Sequence, residues 1–348
     1  MKKILCVMLA LMMLAGFVPD TQAASVPNTY QEYQVSDQTR GIKVLGVRHL
    51  QSDECIYMDY TCSGVEFKAV CNKGRMEFSI TADDNCMFKI YVDNKLVKDG
   101  KSSYFTVPEG DSVIGFNIRK GTHTVRLVKV THYRLAKTQL NSITFKGYIV
   151  DKKPANKKIY VEFIGDSLCC GWGITNNRNG KFDSVDGTLA YPYLVASSLK
   201  ADYSIFAMSG QGAYCGNPSV QDCYLKASYE RGDEEYSFSR KADVVVINLG
   251  TNDYTNRVGE EQFKEALLNI IAMVRLKNGE KVKILLVYNI KNDGYSEIIR
   301  EVAKQENTGI LKCARSKNRK AYYHPTYAES KKYAKQIVSA IKKLMKQK

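Results

Sequence analysis

The chain has 348 residues, of which 44% are hydrophobic and 25% are charged, and its formal net charge at pH 7 is +15. This length predicts two domains of ordinary size. A charge of this size attracts polyanions such as acidic polysaccharide, but the lysines are scattered along the chain. We therefore interpret them as a solvated surface and expect no nucleic-acid partner.

The first 23 residues have the layout of a signal peptide. Lys2 and Lys3 precede an apolar run over residues 4–18, and small residues follow at 21–24. We expect cleavage near Ala23 and a secreted or cell-surface location. No later stretch approaches about 18 consecutive apolar residues, so stable insertion into a membrane is not expected.

Nine cysteines remain once this leader is removed, an odd number, so at least one has no partner within the chain. Export permits disulfides, and sequence alone leaves their pairing open. The pairs nearest in sequence are Cys55/Cys62, Cys71/Cys86 and Cys215/Cys223. The chain has no CxxC pair and no histidine-rich cluster, so we predict no metal site.

Residues 24–150 are predicted to form an all-β domain. Short runs that alternate apolar and polar residues occur at 65–70, 88–92, 113–116 and 124–130. Turn-forming pairs separate these runs at the intervals expected of a β-sandwich: Asp93-Asn94, Asp99-Gly100 and Lys120-Gly121.

Residues 151–348 are predicted to form a second domain of the α/β class. The polar stretch 151–158 marks the boundary, and apolar strands then alternate with helical patterns. The strands are expected at 159–164, 244–249 and 282–288, and the helices near 190–200, 260–275, 296–305 and 326–345. This alternation predicts a parallel sheet with helices on both faces.

Polar groups follow three strand exits, where ligands collect in doubly wound α/β domains. They are Gly165-Asp166-Ser167, Ser209-Gly210 and Gly250-Thr251-Asn252-Asp253. A serine hydroxyl is a weak nucleophile without an adjacent base, and His324 is the only histidine after residue 151. We predict that Ser167 is the nucleophile and His324 its general base, in a reaction that needs no cofactor.

Attack on an ester also requires donors for the charge that develops on the carbonyl oxygen. We predict that the backbone N–H groups of Ser167 and Gly210 and the side-chain amide of Asn252 supply them. Asp166 and Asp253 are interpreted as structural residues, the first bonding the nucleophile turn and the second holding the Asn252 loop. Trp172, the only tryptophan, is either a sugar-stacking residue or part of the core.

The three strand exits that end in Ser167, Gly210 and Asp253, followed by His324-Pro325, resemble in order the four conserved sequence blocks of the SGNH/GDSL hydrolases. Residues 91–93 and 121–129 also resemble the jelly-roll domain that precedes the hydrolase domain in carbohydrate esterase family 2. The resemblance implies a flavodoxin-like parallel sheet after a jelly-roll sandwich. It also implies removal of acetyl groups from plant cell-wall polysaccharides.

One position departs from the superfamily pattern. Members usually carry an aspartate three residues before the histidine, and here that residue is Ala321. Losing the aspartate of a triad lowers the rate by about 10⁴-fold. Some members of carbohydrate esterase family 2 work as a Ser-His dyad in which a main-chain carbonyl orients the imidazole. That resemblance implies the same arrangement for His324.

The resulting prediction is a secreted serine esterase that acts on an acetylated polysaccharide such as xylan or mannan. Its nearest alternatives are an esterase for peptidoglycan or another bacterial glycan, and a lipid esterase. A different class is also open, namely a surface glycan-binding protein with an inactive hydrolase domain, because Ala321 replaces the expected aspartate. The sugar, the acylated hydroxyl and the oligomeric state are not predicted.

Overall fold

The structure is a computed structural model that describes residues 25–175, 181–229, 231–291, 294–318 and 324–347. Its first half is antiparallel β structure and its second half contains a parallel sheet with helices. The predicted signal peptide, residues 1–23, lies outside the described residues. None of the described helices is both long and apolar enough to cross a membrane.

The antiparallel half has eleven strands within the described residues. They are β1 (Tyr30–Gln34), β2 (Ile42–Leu45), β3 (Ile56–Tyr57), β4 (Gly64–Cys71), β5 (Gly74–Ala82), β6 (Cys86–Val92), β7 (Lys95–Leu96), β8 (Phe105–Val107), β9 (Gly110–Ile118), β10 (Gly121–Lys129) and β11 (Thr138–Ile149). We call this part the β unit. The four predicted runs correspond to β4, β6, β9 and β10, so the all-β prediction is confirmed.

Strand β11 belongs to both sheets of the β unit. Its first part pairs with β5, β1 and β3, and its last three residues pair with β4. The change of partner occurs at Gly147, where φ is +147° and a Cβ would lie 2.1 Å from the Val70 carbonyl oxygen. Apolar side chains from both sheets, including Phe67 and Phe78, fill the core between them.

The second half is built on a five-stranded parallel sheet in the order β13-β12-β14-β15-β16. Its strands are β12 (Tyr160–Gly165), β13 (Asp202–Ala207), β14 (Val244–Asn248), β15 (Lys283–Tyr288) and β16 (Gly309–Lys312). Every residue of β12, β13 and β14 is buried, as expected where helices cover both faces of a sheet. We call this part the α/β unit.

Seven α-helices accompany this sheet in the described part of the chain. They are α1 (Ser167–Cys170), α2 (Tyr191–Leu199), α3 (Val220–Cys223), α4 (Thr251–Thr255), α5 (Glu260–Asn278), α6 (Ser296–Gln305) and α7 (Tyr327–Leu344). The four predicted helices correspond to α2, α5, α6 and α7. Helix α5 carries two glutamates in its first turn and two basic residues in its last, which complements the helix dipole.

The two units share buried polar contacts. Arg48, just after β2, is enclosed in the α/β unit, and its Nε and Nη2 donate to Glu162 Oε1 at 3.2 and 2.9 Å. Its Nη1 donates to two main-chain oxygens, those of Tyr224 and Lys226. The guanidinium carbon lies 4.4–4.8 Å from the centroids of four rings: Phe206, Tyr224, Tyr236 and Phe238.

A second contact joins β6 to the chain that follows α1. Lys89 Nζ donates to Asp186 Oδ2 at 2.5 Å and to Thr188 Oγ1 at 2.9 Å, and all three residues are buried. Tyr104 OH donates to the same carboxylate oxygen at 2.8 Å. The β unit therefore holds a segment that lies close in sequence to Ser167.

All nine cysteines of the described residues are free, so the three pairs that are nearest in sequence are not linked in the structure. Eight of the nine are buried, among them Cys169 and Cys170 of α1. Burial raises the pKa of both thiols, as expected of cysteines that pack as small apolar side chains.

Replacing Arg48 with methionine should lower the free energy of unfolding by about 3–5 kcal/mol, because the Glu162 carboxylate would stay buried without its cation. Urea unfolding of the full chain measures this. Arg75→Met is the matched control, since the Arg75–Glu77 pair is exposed and its loss should cost less than about 1 kcal/mol. Equal losses in the two variants would contradict the assigned role of Arg48.

Candidate active site

Ser167 lies at the turn between β12 and α1. Gly165 ends the strand, and a Cβ there would lie 2.1 Å from Cys169 Sγ, so α1 packs against this position only if it is glycine. Asp166 caps the helix, because its Oδ1 accepts a hydrogen bond from the Leu168 N–H at 2.9 Å. The predicted structural role of Asp166 is confirmed, and the first residue of the helix is Ser167.

His324 lies beside this turn, although it is close to the C-terminal end of the sequence. Its Nε2 lies 2.7 Å from Ser167 Oγ, and each of the two residues is only 5% exposed. At this distance a proton can pass directly from the hydroxyl to the imidazole. The structure thus brings together the serine and the histidine that the sequence singled out, 157 positions apart.

Two other side chains contact His324. The half-buried ring of Trp172 lies beside the imidazole, with 4.6 Å between ring centroids. Asn318 Nδ2 donates to the main-chain oxygen of His324 at 2.8 Å. Ala321, the position where the superfamily aspartate is missing, lies outside the described residues.

The Gly210 loop follows β13. Gly210 has φ of +82°, which favours glycine, and a Cβ built on it would meet no atom within 4 Å. Gly210 is exposed, and the space beside its Cα is open. Asp253 holds this loop, because its carboxylate accepts three main-chain N–H groups, from Ala213, Tyr214 and Cys215. The sequence predicts that Asp253 holds its own loop, whereas in the structure it ties α4 to the loop after Gly210.

Asn252 connects the three strand exits. Its Nδ2 donates to the Gln211 main-chain oxygen at 2.7 Å and to Asp166 Oδ2 at 3.2 Å. An amide nitrogen carries two hydrogens, so these two bonds use both of them. For Asn252 to donate to a substrate oxygen, one bond must be exchanged, and the longer bond to Asp166 is the weaker of the two.

The carboxyl of Asp166 has a higher pKa than an ordinary aspartate. Complete burial raises the pKa of its carboxyl to about 7, against the opposing influence of the Leu168 N–H bond and the positive charge of Lys291. Burial in turn lowers the pKa of Lys291, which lies beyond β15. Lys291 is not among the site residues predicted from sequence, although its place three residues after an apolar strand is a fourth strand exit.

The three histidines of the β unit lie apart from this site. His49 is hydrogen-bonded to Asp37, and His123 to Asp93. His132 is buried, which lowers the pKa of its imidazole to about 3. The described residues contain no group of three or more metal-ligating side chains arranged to hold an ion.

Comparison with known proteins identifies the family. The model of the GDSL-like Lipase/Acylhydrolase family matches residues 163–340, which is just over half of the chain. The matched region contains Ser167, Gly210, Asn252 and His324. The chain belongs to the GDSL-like lipase/acylhydrolase family, whose members are carboxylic ester hydrolases.

Two curated relatives are similar in sequence. One is the acetylxylan esterase / glucomannan deacetylase of Cellvibrio japonicus, 28% identical over 252 residues, which are 64% of this chain and 66% of the relative. The other is the cellulase/esterase CelE of Acetivibrio thermocellus, 29% identical over 207 residues, which are 51% of this chain and 25% of the relative. The chain thus spans about two thirds of the first relative and a quarter of the second.

Solved structures show the same fold. A family two carbohydrate esterase from Clostridium thermocellum, in complex with cellohexaose, has a TM-score of 0.79 at 22% identity, covering 88% of this chain and 99% of that one. The acetyl xylan esterase Est2A of Butyrivibrio proteoclasticus has a TM-score of 0.78 at 17% identity, covering 91% and 99%. The predicted SGNH hydrolase fold is thereby confirmed, with a β unit in front of it.

Asp166→Asn should alter how stability depends on pH. A carboxyl whose pKa is raised on folding stabilises the native state fully below its unfolded pKa of 3.8, and this contribution is lost as the pH rises towards 7. The variant cannot ionise, so its free energy of unfolding should rise relative to the unchanged protein between pH 5 and pH 8. The rise should be on the order of a few kcal/mol, because a tenfold change in proton affinity corresponds to about 1.4 kcal/mol.

Urea unfolding at a series of pH values between 5 and 8 measures this difference. A difference between the two proteins that stays constant over this range would show that Asp166 does not titrate there.

Proposed function

We propose that the protein is an exported carbohydrate esterase that removes O-acetyl groups from a polysaccharide, with Ser167 as nucleophile and His324 as general base. The observation that carries the proposal is the 2.7 Å contact between Ser167 Oγ and His324 Nε2 at the carboxyl end of the sheet. Its support is the family membership, together with relatives named as acetylxylan esterase, glucomannan deacetylase and cellulase/esterase.

The reaction has two halves. In the first, Ser167 Oγ attacks the acetyl carbonyl carbon while its proton passes to His324 Nε2, and the resulting tetrahedral intermediate collapses. The sugar oxygen leaves with the proton from Nε2, and an acetyl group stays on Ser167. In the second half, water loses a proton to Nε2 and attacks the acetyl carbon, which forms a second tetrahedral intermediate. The bond from this carbon to Ser167 Oγ then breaks, Oγ takes the proton from Nε2, and acetate leaves.

The negative charge of both intermediates falls on the former carbonyl oxygen. The Ser167 N–H has no acceptor within its own helix because Ser167 is the first helical residue, so it can donate to this oxygen. The Gly210 N–H would donate from the open side of its loop. The Asn252 amide would donate after it exchanges its bond to Asp166 for one to the substrate, and a single such donor contributes about 2.7–4 kcal/mol.

His324 must also be held in one tautomer, with a hydrogen on Nδ1. The resemblance to carbohydrate esterase family 2 supports a main-chain carbonyl as the acceptor for that hydrogen, which makes the pair a dyad. A crystal structure with Nδ1 bonded to a carboxylate would replace the dyad with a triad.

The same resemblance supports a division into two domains after an exported leader, at residues 24–150 and 151–348, with a jelly-roll topology for the first. The bulky half-buried ring of Trp172 beside His324 would stack on the sugar that carries the acetyl group.

Ser167→Ala should lower the hydrolysis of 4-nitrophenyl acetate by at least about 10³-fold, because no other atom takes over the attack. Release of 4-nitrophenol measures this, and a fluorophosphonate should label the unchanged protein but not the variant. Ser198→Ala is the matched control, an exposed serine on α2 whose hydroxyl bonds only its own helix. Full turnover by Ser167→Ala would refute the mechanism.

Trp172→Ala should impair polymer substrates more than small ones. Loss of a stacking ring should lower kcat/KM on acetylated xylan or glucomannan by about two- to tenfold more than on 4-nitrophenyl acetate, which has no sugar to stack. Trp172→Phe keeps an aromatic face, so its kcat/KM on the polymer should lie between the values for the unchanged protein and for Trp172→Ala. Equal losses on both substrates would mean that Trp172 acts only through its contact with His324.

A further inference from the structure

The helix that follows His324 begins with a capping box. Thr326 Oγ1 accepts a hydrogen bond from the Glu329 N–H at 3.2 Å, and Glu329 Oε2 accepts one from the Thr326 N–H at 2.9 Å. Such a box satisfies N–H groups at the start of a helix. It also fixes the direction in which the chain enters α7, two residues after His324.

The Glu329 carboxylate does more than cap α7. Its Oε1 accepts the main-chain N–H of Lys317 at 2.8 Å, and its Oε2 accepts the Ser316 hydroxyl at 3.1 Å. A single half-buried side chain therefore bridges two separate segments, one before His324 and one after it.

The earlier segment is itself attached at both ends. The Ser316 N–H donates to the Ile290 oxygen at 2.7 Å, which fastens the segment to the exit of β15. Asn318 Nδ2 donates to the His324 oxygen at 2.8 Å, which fastens it to the histidine. Residues 316–318 thus connect the sheet to His324. Glu329 in turn connects these residues to the start of α7, which follows His324.

The charge state of Glu329 suits this role. Burial would raise the pKa of its carboxyl, but the hydrogen bonds from Lys317, Thr326 and Ser316 outweigh burial and leave the pKa below its ordinary value. The group is therefore ionised at neutral pH, and charge-assisted bonds of this kind are stronger than neutral ones.

We propose that Glu329 is a positioning residue for His324, because its carboxylate bridges residues 316–317 to the start of α7 and so holds the histidine against Ser167. In the superfamily pattern an aspartate steadies the imidazole directly, whereas in this chain Glu329 steadies the main chain on both sides of it. The proposal rests on the proposed function of Ser167 and His324.

The test compares Glu329→Gln with Thr326→Val. Four donors converge on the carboxylate, namely the main-chain N–H groups of Lys317 and Thr326 and the hydroxyls of Ser316 and Thr326. An amide nitrogen cannot accept from any of them, so Glu329→Gln must break part of the bridge. Thr326→Val removes the capping hydroxyl, and with it the bond that Thr326 Oγ1 donates to Glu329 Oε2, but leaves the bonds that Lys317 and Ser316 donate to the carboxylate. Both variants are first checked by circular dichroism and thermal unfolding.

We expect Glu329→Gln to lower kcat for 4-nitrophenyl acetate about tenfold or more with KM unchanged, and to slow fluorophosphonate labelling of Ser167 to a similar degree. Thr326→Val should keep kcat within about twofold even if its unfolding temperature falls. A KM left unchanged alongside slower labelling separates loss of histidine position from loss of substrate binding.

Two results would overturn the proposal. One is a folded Glu329→Gln protein with unchanged kcat and labelling rate, and the other is an equal loss of kcat in both variants, which would assign the effect to the helix cap alone. Failure of the proposed function is a separate result, because it would show as turnover that survives Ser167→Ala.

Discussion

The site depends on the parallel pairing of β12 with β13 on one side and β14 on the other. In this register Gly165 lies opposite both Ala207 and Asn248, so the three strands end at one level. Ser167, Gly210 and Asn252 follow within a few residues of that level. A slip of one residue in either pairing would turn the side chains of that strand to the opposite face. The buried strands therefore set the relative height of Ser167, Gly210 and Asn252.

Carboxylates then fix the loops that leave this level, and each does so by accepting main-chain N–H groups. Asp166 bonds the start of α1, Asp253 bonds three residues of the Gly210 loop, and Glu329 bonds the segments around His324. Burial raises the pKa of the Asp166 carboxyl to about 7. Its bond to the Asn252 amide is therefore linked to pH, because protonation of the carboxyl weakens that bond.

The sequence predicted the order of the units, the main helices and the four blocks, because those features are local. It placed a strand exit before Ser209 but assigned no residues to β13, because the first residues of that strand, Asp202, Tyr203 and Ser204, are buried but do not form an apolar run. It also missed β16, which has only four residues. Arg48 and Lys89 look like surface cations in sequence, and their partners lie about a hundred residues away in the other unit. Contacts of that range depend on how the units pack, which no local pattern records.

These long-range contacts connect the β unit to the main chain near Ser167 and Trp172. Residues 186–187 pack closely against the β unit. Asp186 pairs with Lys89, and Gly187 approaches Thr61 so closely that a Cβ on the glycine would lie 2.0 Å from Thr61 Oγ1. The Asp186 N–H in turn donates to the Gly171 oxygen at 3.3 Å, and Gly171 ends the helix that Ser167 begins. Trp172 comes directly after Gly171 and lies beside His324, so the contacts of residues 186–187 with the β unit support the main chain that carries this ring. Without the β unit, residues 186–187 would lose these contacts, and Trp172 would lose the support that they give to the main chain next to it.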